Sequence, residues 1–464
     1  MTPKLPALVC ALAALAASGA AAQTPTPIAD RYRDAATRII QTAQADSAAW
    51  DRIATLTDTY GHRLSGSRAL EQAIDWILAE MKKDGLDSAW TEPVKIPHWV
   101  RGQESAELVS PRKARLHMLG LGMSVGTPKN GITAPVLVVK SFDELTARAA
   151  EAKGKIVLFN EPWVNYGATV RYRTGGASAA AKVGARAVLI RAVAATSIRS
   201  PHTGTLVYDT TVARIPAAAL STEDADMLAR MAARGQEVVV TLKMKARQLP
   251  DADGRNVLAE IRGSEHPEEV VVLGGHIDSW DVGTGAMDDA GGVVASWEAV
   301  RLIQRLGLKP RRTIRVVGWT NEENGGRGGN GYRDAHRAEV DNHILAIESD
   351  GGVFAPKGFG ATASAPAIAM LRDIATLLEP ISADEMSIGG GGADIGPIMQ
   401  LGVPGLGLSV EGERYFWYHH SEGDMVDKLD PSEVARCVAT LAVMAYVVAD
   451  MPDRLPRGEP MRRQ

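Results

Sequence analysis

The sequence has little cysteine, since its 464 residues include only Cys10 and Cys437. Cys10 falls in an N-terminal stretch that we interpret below as a signal peptide, so the mature chain keeps Cys437 alone. A single cysteine forms no intramolecular disulfide, although the compartment that a signal peptide implies would allow one. We therefore expect the fold to be held by its apolar core and by metal, where metal is bound.

The sequence also lacks an excess of basic charge, a long apolar run in its mature part and any internal repeat. Its formal net charge is −4, which argues against a nucleic-acid partner. After the N-terminal stretch there is no run of 18 or more apolar residues, so we expect no stable membrane anchor. What remains is an ordinary globular composition, 45% hydrophobic, long enough for two or three domains.

The first 22 residues have the pattern of a signal peptide. Lys4 supplies a positive charge, residues 5–17 form an apolar core, and residues 20–22, all alanine, offer a small-residue cleavage site before Gln23. The alternative, a membrane anchor, fits less well because the apolar core is short and the chain turns polar at once. We therefore expect a protein that is secreted or periplasmic after this segment is removed.

The next 230 or so residues fall into stretches of different pattern. Residues 27–85 show helical periodicity, and residues 90–100 are predicted to be extended. From residue 102 to 248, short strands surround an Ala-rich helix at 177–183, which predicts a small α/β domain inserted within a larger one. We take residues 251–254, Asp-Ala-Asp-Gly, as the linker by which the chain leaves this insert.

One strand of the C-terminal half ends in residues that can bind a ligand. Residues 270–273, Val-Val-Val-Leu, are typical of a buried parallel strand, and helical periodicity starts at Val293. His276 and Asp278 therefore lie at the carboxyl end of a strand, and Asp288 lies where the next helix begins. In open α/β sheets ligands bind at that edge.

Two later strands end in the same manner, with acidic residues followed by glycine. The predicted strand at 313–319 leads into Glu322 and Glu323, and the strand at 343–347 leads to Asp350. One such end would fit a solvated turn, but three indicate a shared site. A histidine and several carboxylates that converge at one edge predict a site for a zinc-type metal.

A last candidate group lies at residues 418–424 and includes Tyr418, His419 and His420. With this group the chain carries enough ligands for two metals. One further acid, Glu322, is then left over. The candidate ligands are His276, Asp288, Glu323, Asp350 and His420.

These motifs resemble the M28 family of co-catalytic zinc exopeptidases, most closely its carboxypeptidase Q branch. Three segments of the insert, at residues 172–174, 180–185 and 200–204, resemble that branch's protease-associated domain. The resemblance implies an α/β fold: a zinc-exopeptidase-type, doubly wound mixed sheet flanked by helices, with an inserted protease-associated α/β domain. The expected division is a signal peptide at 1–22, two parts of the peptidase domain at 23–101 and 249–452, the inserted domain at 102–248 and a flexible tail at 453–464.

The resemblance also implies two Zn²⁺ ions per chain and a place for each ligand. His276 and Asp350 would hold one zinc. Glu323 and His420 would hold the other. Asp288 would bridge both, which a carboxylate can do because it has two oxygens and paired metals lie ~3.5–4 Å apart.

Three further acids would act around the metals. Glu322 would be the general base, while its neighbour Glu323 is a ligand, because adjacent side chains of an extended chain point apart. Asp278, two residues after His276, is placed to accept the other imidazole N–H. Asp289 is interpreted as a partner of the following helix N-terminus rather than a ligand.

The residues that contact a peptide substrate are harder to assign. A dipeptidase needs acids near the substrate amine and a cation for its carboxylate, ideally a bidentate arginine. Asp394 could bind the substrate amine. Arg173 is the favoured cation, because it lies in a family-matching segment just before a Gly175-Gly176 hinge. Arg171 and Arg414 are the alternatives.

Two features complete the expected pocket. Tyr418 and His419 are candidate donors to the oxyanion of the reaction. Residues 389–392, four glycines, are not a phosphate loop, since no Gly-Lys-Ser/Thr follows them. We expect them to form a flexible wall of the specificity pocket.

Three functions compete. The first is a two-zinc exopeptidase that acts on dipeptides or short peptides with free termini. The second is a receptor-like binding protein that keeps the fold without catalysis, and the third is a one-zinc acyltransferase resembling glutaminyl cyclases. Because every ligand and base position is filled, we favour the first. The resemblance favours carboxypeptidase or dipeptidase over aminopeptidase activity, and the residues alone leave that choice and a homodimer open.

Overall fold

The computed structural model describes residues 27–458. The expected signal peptide and residues 459–464 of the expected tail lie outside this range. The described chain forms two mixed sheets of eight strands each, with helices packed on them. The strands, numbered in chain order, are β1 Ser88–Val100, β2 Glu104–Ser110, β3 Ala114–Leu116, β4 Met118–Gly120, β5 Ile132–Val139, β6 Ile156–Phe159, β7 Ala187–Arg191, β8 Ala217–Leu220, β9 Val239–Met244, β10 Arg247–Ile261, β11 His266–His276, β12 Arg312–Trp319, β13 His343–Glu348, β14 Pro356–Thr362, β15 Glu385–Ile388 and β16 Gly405–Val410.

The α-helices are numbered in the same way. They are α1 Ile28–Gln44, α2 Ala48–Tyr60, α3 Arg68–Lys83, α4 Phe142–Ala147, α5 Ala149–Ala152, α6 Tyr166–Lys182, α7 Thr222–Ala233, α8 Gly291–Arg305, α9 Arg327–Ala335, α10 Ala365–Ala375, α11 Gly396–Met399, α12 Tyr415–Tyr418 and α13 Pro431–Asp450. Short 3₁₀ segments lie at Arg337–Asn342, Thr376–Ile381 and Val426–Lys428, and a π-helical segment lies at Ala286–Ala290.

The first sheet contains the strands that were predicted to carry ligands. Its order is β1-β10-β12-β11-β13-β16-β14-β15. β11 pairs in parallel with β12 and β13, and β13 pairs in parallel with β16. β10 runs antiparallel to β12, and β14 runs antiparallel to β16. The predicted α/β fold with a mixed sheet flanked by helices is confirmed.

The central strand β11 is buried on both faces, which explains its unbroken apolar run. Val271 and Leu273 belong to a large apolar cluster that includes α8 and α13. Val270 and Val272 belong to a second cluster on the opposite face, together with Tyr332 of α9. Because successive side chains of a strand point to opposite faces, such a strand needs apolar residues at every position.

Helix α13 forms the centre of the larger cluster. It is the one helix within residues 27–458 that is long and apolar enough to cross a membrane by length and composition. Of its apolar window, 83% is buried inside the fold, where it packs against α1, α2 and α8. Its burial is that of a core helix.

The second sheet is built only from strands within residues 104–244. Its order is β3-β2-β9-β5-β6-β7-β8-β4. It has apolar clusters of its own, one around Leu158, Leu189 and Val240 and another around Phe159 and Tyr172. We call residues 104–244 the second unit. Its assignment to the protease-associated class stays a prediction, as do the domain boundaries.

The predicted Gly175-Gly176 hinge is wrong, because both glycines lie inside α6. This helix starts at Tyr166, where the Asn165 side chain accepts a hydrogen bond from the Ala168 N–H at 2.8 Å. A Cβ at Gly176 would lie 3.3 Å from the Phe159 ring of β6. Glycine therefore permits close packing of helix on sheet here, and it does not break the helix.

Two other predicted connections also differ from the structure. Residues 251–254, predicted to be a linker, lie inside β10, and residues 252–254 pair with β1. A Cβ at Gly254 would lie 2.6 Å from Ile96 Cδ1, so the glycine permits close packing of a paired strand. Residues 453–458 are not a free tail either: Leu455 is buried, and the Arg457 guanidinium donates to the Leu401 carbonyl at 2.8 Å.

Candidate active site

Three parallel strands bring the predicted residues to one edge of the first sheet. His276 is the last residue of β11, Glu322 and Glu323 follow the end of β12, and Asp350 follows the end of β13. Asp288 lies in the segment that precedes α8, and its peptide bond to the next residue is cis. The strand register therefore places these side chains around one point.

The candidate ligands form two sets that share one carboxylate. His276 Nε2 lies 3.1 Å from Asp288 Oδ1 and 3.3 Å from Asp350 Oδ1. His420 Nε2 lies 3.2 Å from Asp288 Oδ2 and 3.0 Å from Glu323 Oε2. Asp288 thus presents one oxygen to each histidine, which is the arrangement that a bridging ligand requires.

The donor atoms of the two sets suit binding of metal ions better than they suit hydrogen bonds with one another. Asp288 Oδ2, Glu323 Oε1 and Asp350 Oδ1 are buried and accept no hydrogen bond from the described residues. Buried carboxylate oxygens without a partner are costly, and a cation removes that cost. Imidazole nitrogens with carboxylate oxygens are a donor set that zinc accepts in catalytic sites.

One donor set contains Asp288 and His420, and His419 is an alternative to Glu323 as its third donor. Its Nε2 lies 3.7 Å from Asp288 Oδ2, and its ring stacks on the His420 ring with centroids 3.5 Å apart. Glu323 is the better third donor, because it lies closer to His420 and its negative charge offsets that of a cation. We therefore keep His419 as a residue of the cavity wall.

Asp278 accepts the other imidazole N–H of His276 as predicted, but through its main-chain carbonyl and not through its carboxylate. His276 Nδ1 lies 2.8 Å from the main-chain carbonyl of Asp278, while the carboxylate oxygen is 3.8 Å away. The carboxylate instead accepts hydrogen bonds from the N–H of Glu322 at 3.0 Å and of Glu323 at 3.4 Å, and from the Ser65 hydroxyl at 3.1 Å. Asp278 therefore positions the Glu-Glu turn directly and His276 through its backbone.

Glu322 is the predicted general base, and it is partly exposed to the cavity. The turn that carries it starts at Asn321, whose φ of 67° lies in the left-handed region. Burial raises the pKa of the Glu322 carboxyl well above its ordinary value; His276 opposes the rise, and Asp350 adds to it.

The Asp289 carboxylate accepts hydrogen bonds from two segments, the start of α8 and the end of β11. Its Oδ1 accepts a hydrogen bond from the Gly292 N–H at 2.9 Å, at the start of α8. Its Oδ2 accepts one from the His276 N–H at 3.1 Å. Asp289 thus caps the helix N-terminus and joins it to the end of β11, so that Asp288 faces both histidines.

A cavity of about 330 Å³ opens in front of the two donor sets. The second unit contributes one wall of it, through Tyr166, Arg173 and Thr205. The first sheet and its loops contribute the rest: Asp288, Glu322, Glu323, Asp350, Tyr415, Phe416, His419 and His420.

Comparisons with known proteins identify the family. A family profile described as Peptidase family M28 matches residues 256–445. Carboxypeptidase Q of Homo sapiens is 50% identical over 428 residues, which cover 92% of this chain and 91% of the human protein. The chain belongs to peptidase family M28. It is a zinc metallopeptidase of the carboxypeptidase Q-like kind, and the coarser part of the predicted function, a metallo-exopeptidase acting on peptides, is confirmed.

Solved structures agree on the fold of this M28 peptidase. A peptidase M28 precursor from Shewanella amazonensis has 35% sequence identity and a TM-score of 0.90, covering 93% of this chain and 100% of its own. A zinc aminopeptidase from Bacillus subtilis has 20% identity and a TM-score of 0.66, covering 87% of this chain and 94% of its own. At that identity the second structure supports the fold alone.

Of the three arginines proposed for the substrate carboxylate, Arg173 faces the cavity of the M28 peptidase. Its Nη2 donates to the Tyr166 hydroxyl at 2.7 Å, and the side chain is almost fully buried. Arg171 is exposed and donates to the Tyr172 hydroxyl. Arg414 pairs with Glu411 and with Glu433 of α13, and it packs over the Phe354 ring.

Two predicted pocket residues are not part of the cavity wall. Tyr418 is half-buried beside Lys428, and Tyr415, at the start of the same short helix, lines the cavity instead. Asp394 is 2% exposed and lies behind the site, where its N–H donates to Glu348 Oε2 at 3.0 Å. Its carboxylate is not part of the cavity wall among the described residues. Both of its carboxylate oxygens are buried without a hydrogen-bond partner among the described residues, and its role toward a substrate amine stays a prediction.

The four glycines at 389–392 are not a wall of the cavity either. Gly389 and Gly390 are exposed, Gly391 and Gly392 are half-buried, and a Cβ at Gly392 would lie 1.9 Å from the Glu348 carboxyl carbon. Glycine is needed at this position for close approach to a buried acid. None of the four lines the cavity described above, and their role as a flexible wall stays a prediction.

The sequence reasoning missed Arg63, which supports the segment that carries Asp288. Its guanidinium is fully buried and donates to the carbonyls of Ile277 and Thr284, both at 2.7 Å, and of Gly285 at 2.8 Å. Burial lowers the pKa of Arg63 to about 10, which still leaves it charged at neutral pH. A lone arginine in a loop carries no sequence pattern that could reveal this role.

Asp424 supports the same segment from the other side. Its Oδ1 accepts hydrogen bonds from the N–H groups of Ala286 and Met287, both at 2.8 Å. Burial raises the pKa of this carboxyl to about 7. Together with Arg63 it fixes the loop between β11 and α8, and so the position of Asp288.

Proposed function

We propose that this M28 peptidase is a two-zinc exopeptidase that hydrolyses dipeptides or short peptides with free termini, as a carboxypeptidase or dipeptidase. The observation that supports this most is that Asp288 offers one carboxylate oxygen to His276 and the other to His420. Asp350 completes the first set and Glu323 the second. Two zinc ions held in this way would share Asp288.

The residues around the cavity suit peptide hydrolysis. When bound, zinc supplies Lewis acidity, which polarises the substrate carbonyl and lowers the pKa of the attacking water. The Glu322 carboxylate faces the same cavity, where it can take the proton of that water and pass it to the leaving amine. Of the two carboxylates in the Glu-Glu turn, Glu323 would thus bind zinc and Glu322 would transfer the proton.

Two neutral side chains in the wall can donate hydrogen bonds to the oxyanion. Burial lowers the pKa of His419 well below its ordinary value, and neighbouring His420 lowers it further. Burial raises the pKa of Tyr415 well above its ordinary value, so its hydroxyl keeps its proton. Fixed donors of this kind in a partly dry cavity stabilise the negative charge that develops on the carbonyl oxygen.

Arg173 supports recognition of a free carboxylate. Its hydrogen bonds within residues 27–458 go to the Tyr166 hydroxyl and the Thr203 carbonyl, its Nη1 also lies 3.3 Å from His420 Nδ1, and its Nε has no partner there. A buried guanidinium without a carboxylate partner favours an anionic ligand, which the C-terminus of a short peptide provides. The cavity of about 330 Å³ is at the lower end of the size of small-molecule pockets, which favours a dipeptide.

A panel of dipeptides with free and blocked termini, assayed with and without a chelator, tests this function. We expect about two zinc ions per chain by elemental analysis, activity that a chelator abolishes, and slower cleavage of C-terminally amidated dipeptides. One tightly bound metal with full activity would contradict the two-zinc proposal. Cleavage that needs a free amine and ignores the carboxylate would make the protein an aminopeptidase instead.

We also propose that residues 1–22 direct export, and that residues 102–248 form a protease-associated domain in a secreted or periplasmic protein. The alanine-rich cleavage site supports the first proposal. N-terminal sequencing of the exported protein tests it, with Gln23 as the expected first residue.

A further inference from the structure

The second unit contacts the candidate zinc ligand His420 through the main chain of Thr203. The Thr203 N–H donates to the His420 carbonyl at 2.9 Å. His420 Nδ1 lies 3.3 Å from the Thr203 carbonyl oxygen. Both residues are buried, so the backbone of Thr203 meets both the backbone and the ring of His420 without intervening solvent.

The direction of the second hydrogen bond follows from the tautomer of His420. Its Nε2 faces Asp288 Oδ2 and Glu323 Oε2, so Nε2 is the nitrogen available to a metal. Nδ1 then carries the proton and needs an acceptor. Arg173 Nη1 lies 3.3 Å from Nδ1 but can only donate, so the acceptor is the Thr203 carbonyl.

The Thr203 hydroxyl holds that peptide in place. It donates to the Gly120 carbonyl at 2.8 Å and lies 3.4 Å from Arg101 Nη2, which can donate to it. Arg101 in turn donates through Nε to Asp281 at 2.9 Å, in the loop after β11. The hydroxyl therefore sits in a buried network that joins the two units beside the site.

The residue after Thr203, Gly204, is tightly packed. Gly204 has a φ of 131°, and a Cβ there would lie 2.3 Å from the Arg173 guanidinium. The segment is thus packed tightly between Arg173 and the loop of His420. A ligand imidazole whose other N–H is held by a fixed acceptor is oriented for its metal.

We propose that Thr203 is a positioning residue for the zinc ligand His420, and that the second unit thereby tunes zinc affinity at the site formed with Glu323. The hydroxyl orients the peptide, and the carbonyl of that peptide accepts the Nδ1–H of His420. This inference rests on the proposed function, because it takes His420 as a ligand.

Replacing Thr203 with valine tests the inference, since valine keeps the shape and removes the hydroxyl. The Gly120 carbonyl keeps a second donor, Arg101 Nη1, so the substitution does not leave it unpaired. Zinc affinity of the full-length variant is measured by competition with a chromophoric chelator. We expect one of two binding steps to weaken about 10- to 100-fold, the other to stay unchanged, and Thr203→Ser to match the wild type.

Thr146→Val is the matched control, because its hydroxyl donates to the Phe142 carbonyl on the surface of the second unit. Equal affinities for Thr203→Val and the wild type in both steps would overturn the inference. So would equal weakening of both steps. If the wild type itself binds a single zinc, the two-zinc function fails instead, and the two failures are thereby distinguished.

A second measurement uses the wild type and does not depend on the folding of a variant. In protein loaded with cadmium-113 and labelled with nitrogen-15 at histidine, we expect His420 to couple to the metal through Nε2 and to carry its proton on Nδ1. Coupling of His420 through Nδ1 would refute the role of the Thr203 carbonyl.

Discussion

The carboxylate of Asp278 accepts a hydrogen bond from the main-chain N–H of Glu322 at 3.0 Å. This bond ties the end of β11 to the turn after β12, where the proposed general base lies. Asp278 is wholly buried, so no water competes for the contact. The position of the Glu322 carboxylate in the cavity therefore depends on a residue that touches neither substrate nor metal.

Asp278→Asn is expected to lower kcat about 10- to 100-fold, because it removes the charge that holds the amides of Glu322 and Glu323. The zinc affinity of the step that involves His276 is expected to stay unchanged, since Nδ1 bonds to the main-chain carbonyl that the substitution keeps. Steady-state kinetics and chelator competition measure the two effects separately. Weaker zinc binding at the His276 step, with kcat unchanged once both sites are filled, would show instead that the Asp278 carboxylate acts on His276.

Glu322→Gln is expected to keep the fold and the metals and to lower kcat by about 10²- to 10⁴-fold, because it removes only the proton transfer. Turnover of a free dipeptide and zinc content measure this. Glu379→Gln, at an exposed glutamate outside the site, is the control and should match the wild type. Near wild-type turnover of Glu322→Gln would place the base on another residue.

Arg173→Ala is expected to raise KM about ten- to a hundredfold for dipeptides with a free carboxylate, from the loss of charge-assisted hydrogen bonds worth ~1.5–3 kcal/mol. The penalty should shrink for C-terminally amidated substrates, which lack the charge. Arg171→Ala is the matched control, two residues away in the same helix and exposed. Equal kinetics for Arg173→Ala and the wild type on free dipeptides would remove Arg173 from the site.

The buried His343 is expected to make the stability of the metal-free protein depend on pH. Burial lowers its pKa to about 4; its Nε2 accepts the Tyr332 hydroxyl proton at 2.9 Å, and its Nδ1 lies 3.3 Å from the Glu339 carbonyl. The unfolded chain holds this proton below about pH 6.5, and the folded chain only below about pH 4. The unfolded state therefore binds more protons in that window, and the free energy of unfolding falls as the pH falls through it.

From pH 7 to pH 5 this one group should remove about 2 kcal/mol of the free energy of unfolding. Urea unfolding of the chelator-treated protein at the two pH values measures it, with His343→Gln as the comparison. The pH dependence should be smaller by that amount in the variant, because glutamine does not titrate. An identical pH dependence in both proteins would show that His343 does not carry this linkage.

How far the site could be predicted differs from residue to residue. His276, Asp288, Glu323 and Asp350 follow strand ends or precede a helix, and periodicity along the chain is a local property that sequence displays. Parallel strands then deliver their carboxyl ends to one edge whatever the details of packing. His420 was predicted through family resemblance, since its loop has no strand pattern of its own.

The tertiary structure decided which atoms meet. Tyr415 faces the cavity and Tyr418 does not, because the orientation of a short helix is set by what packs on it. The amino acid sequence determined that Asp278 would lie beside His276, but only long-range packing against the Glu322 turn decided which of its oxygens bonds to what. The contact between Thr203 and His420 joins residues 217 apart in the chain, and a pairing over that distance leaves no local pattern in the sequence.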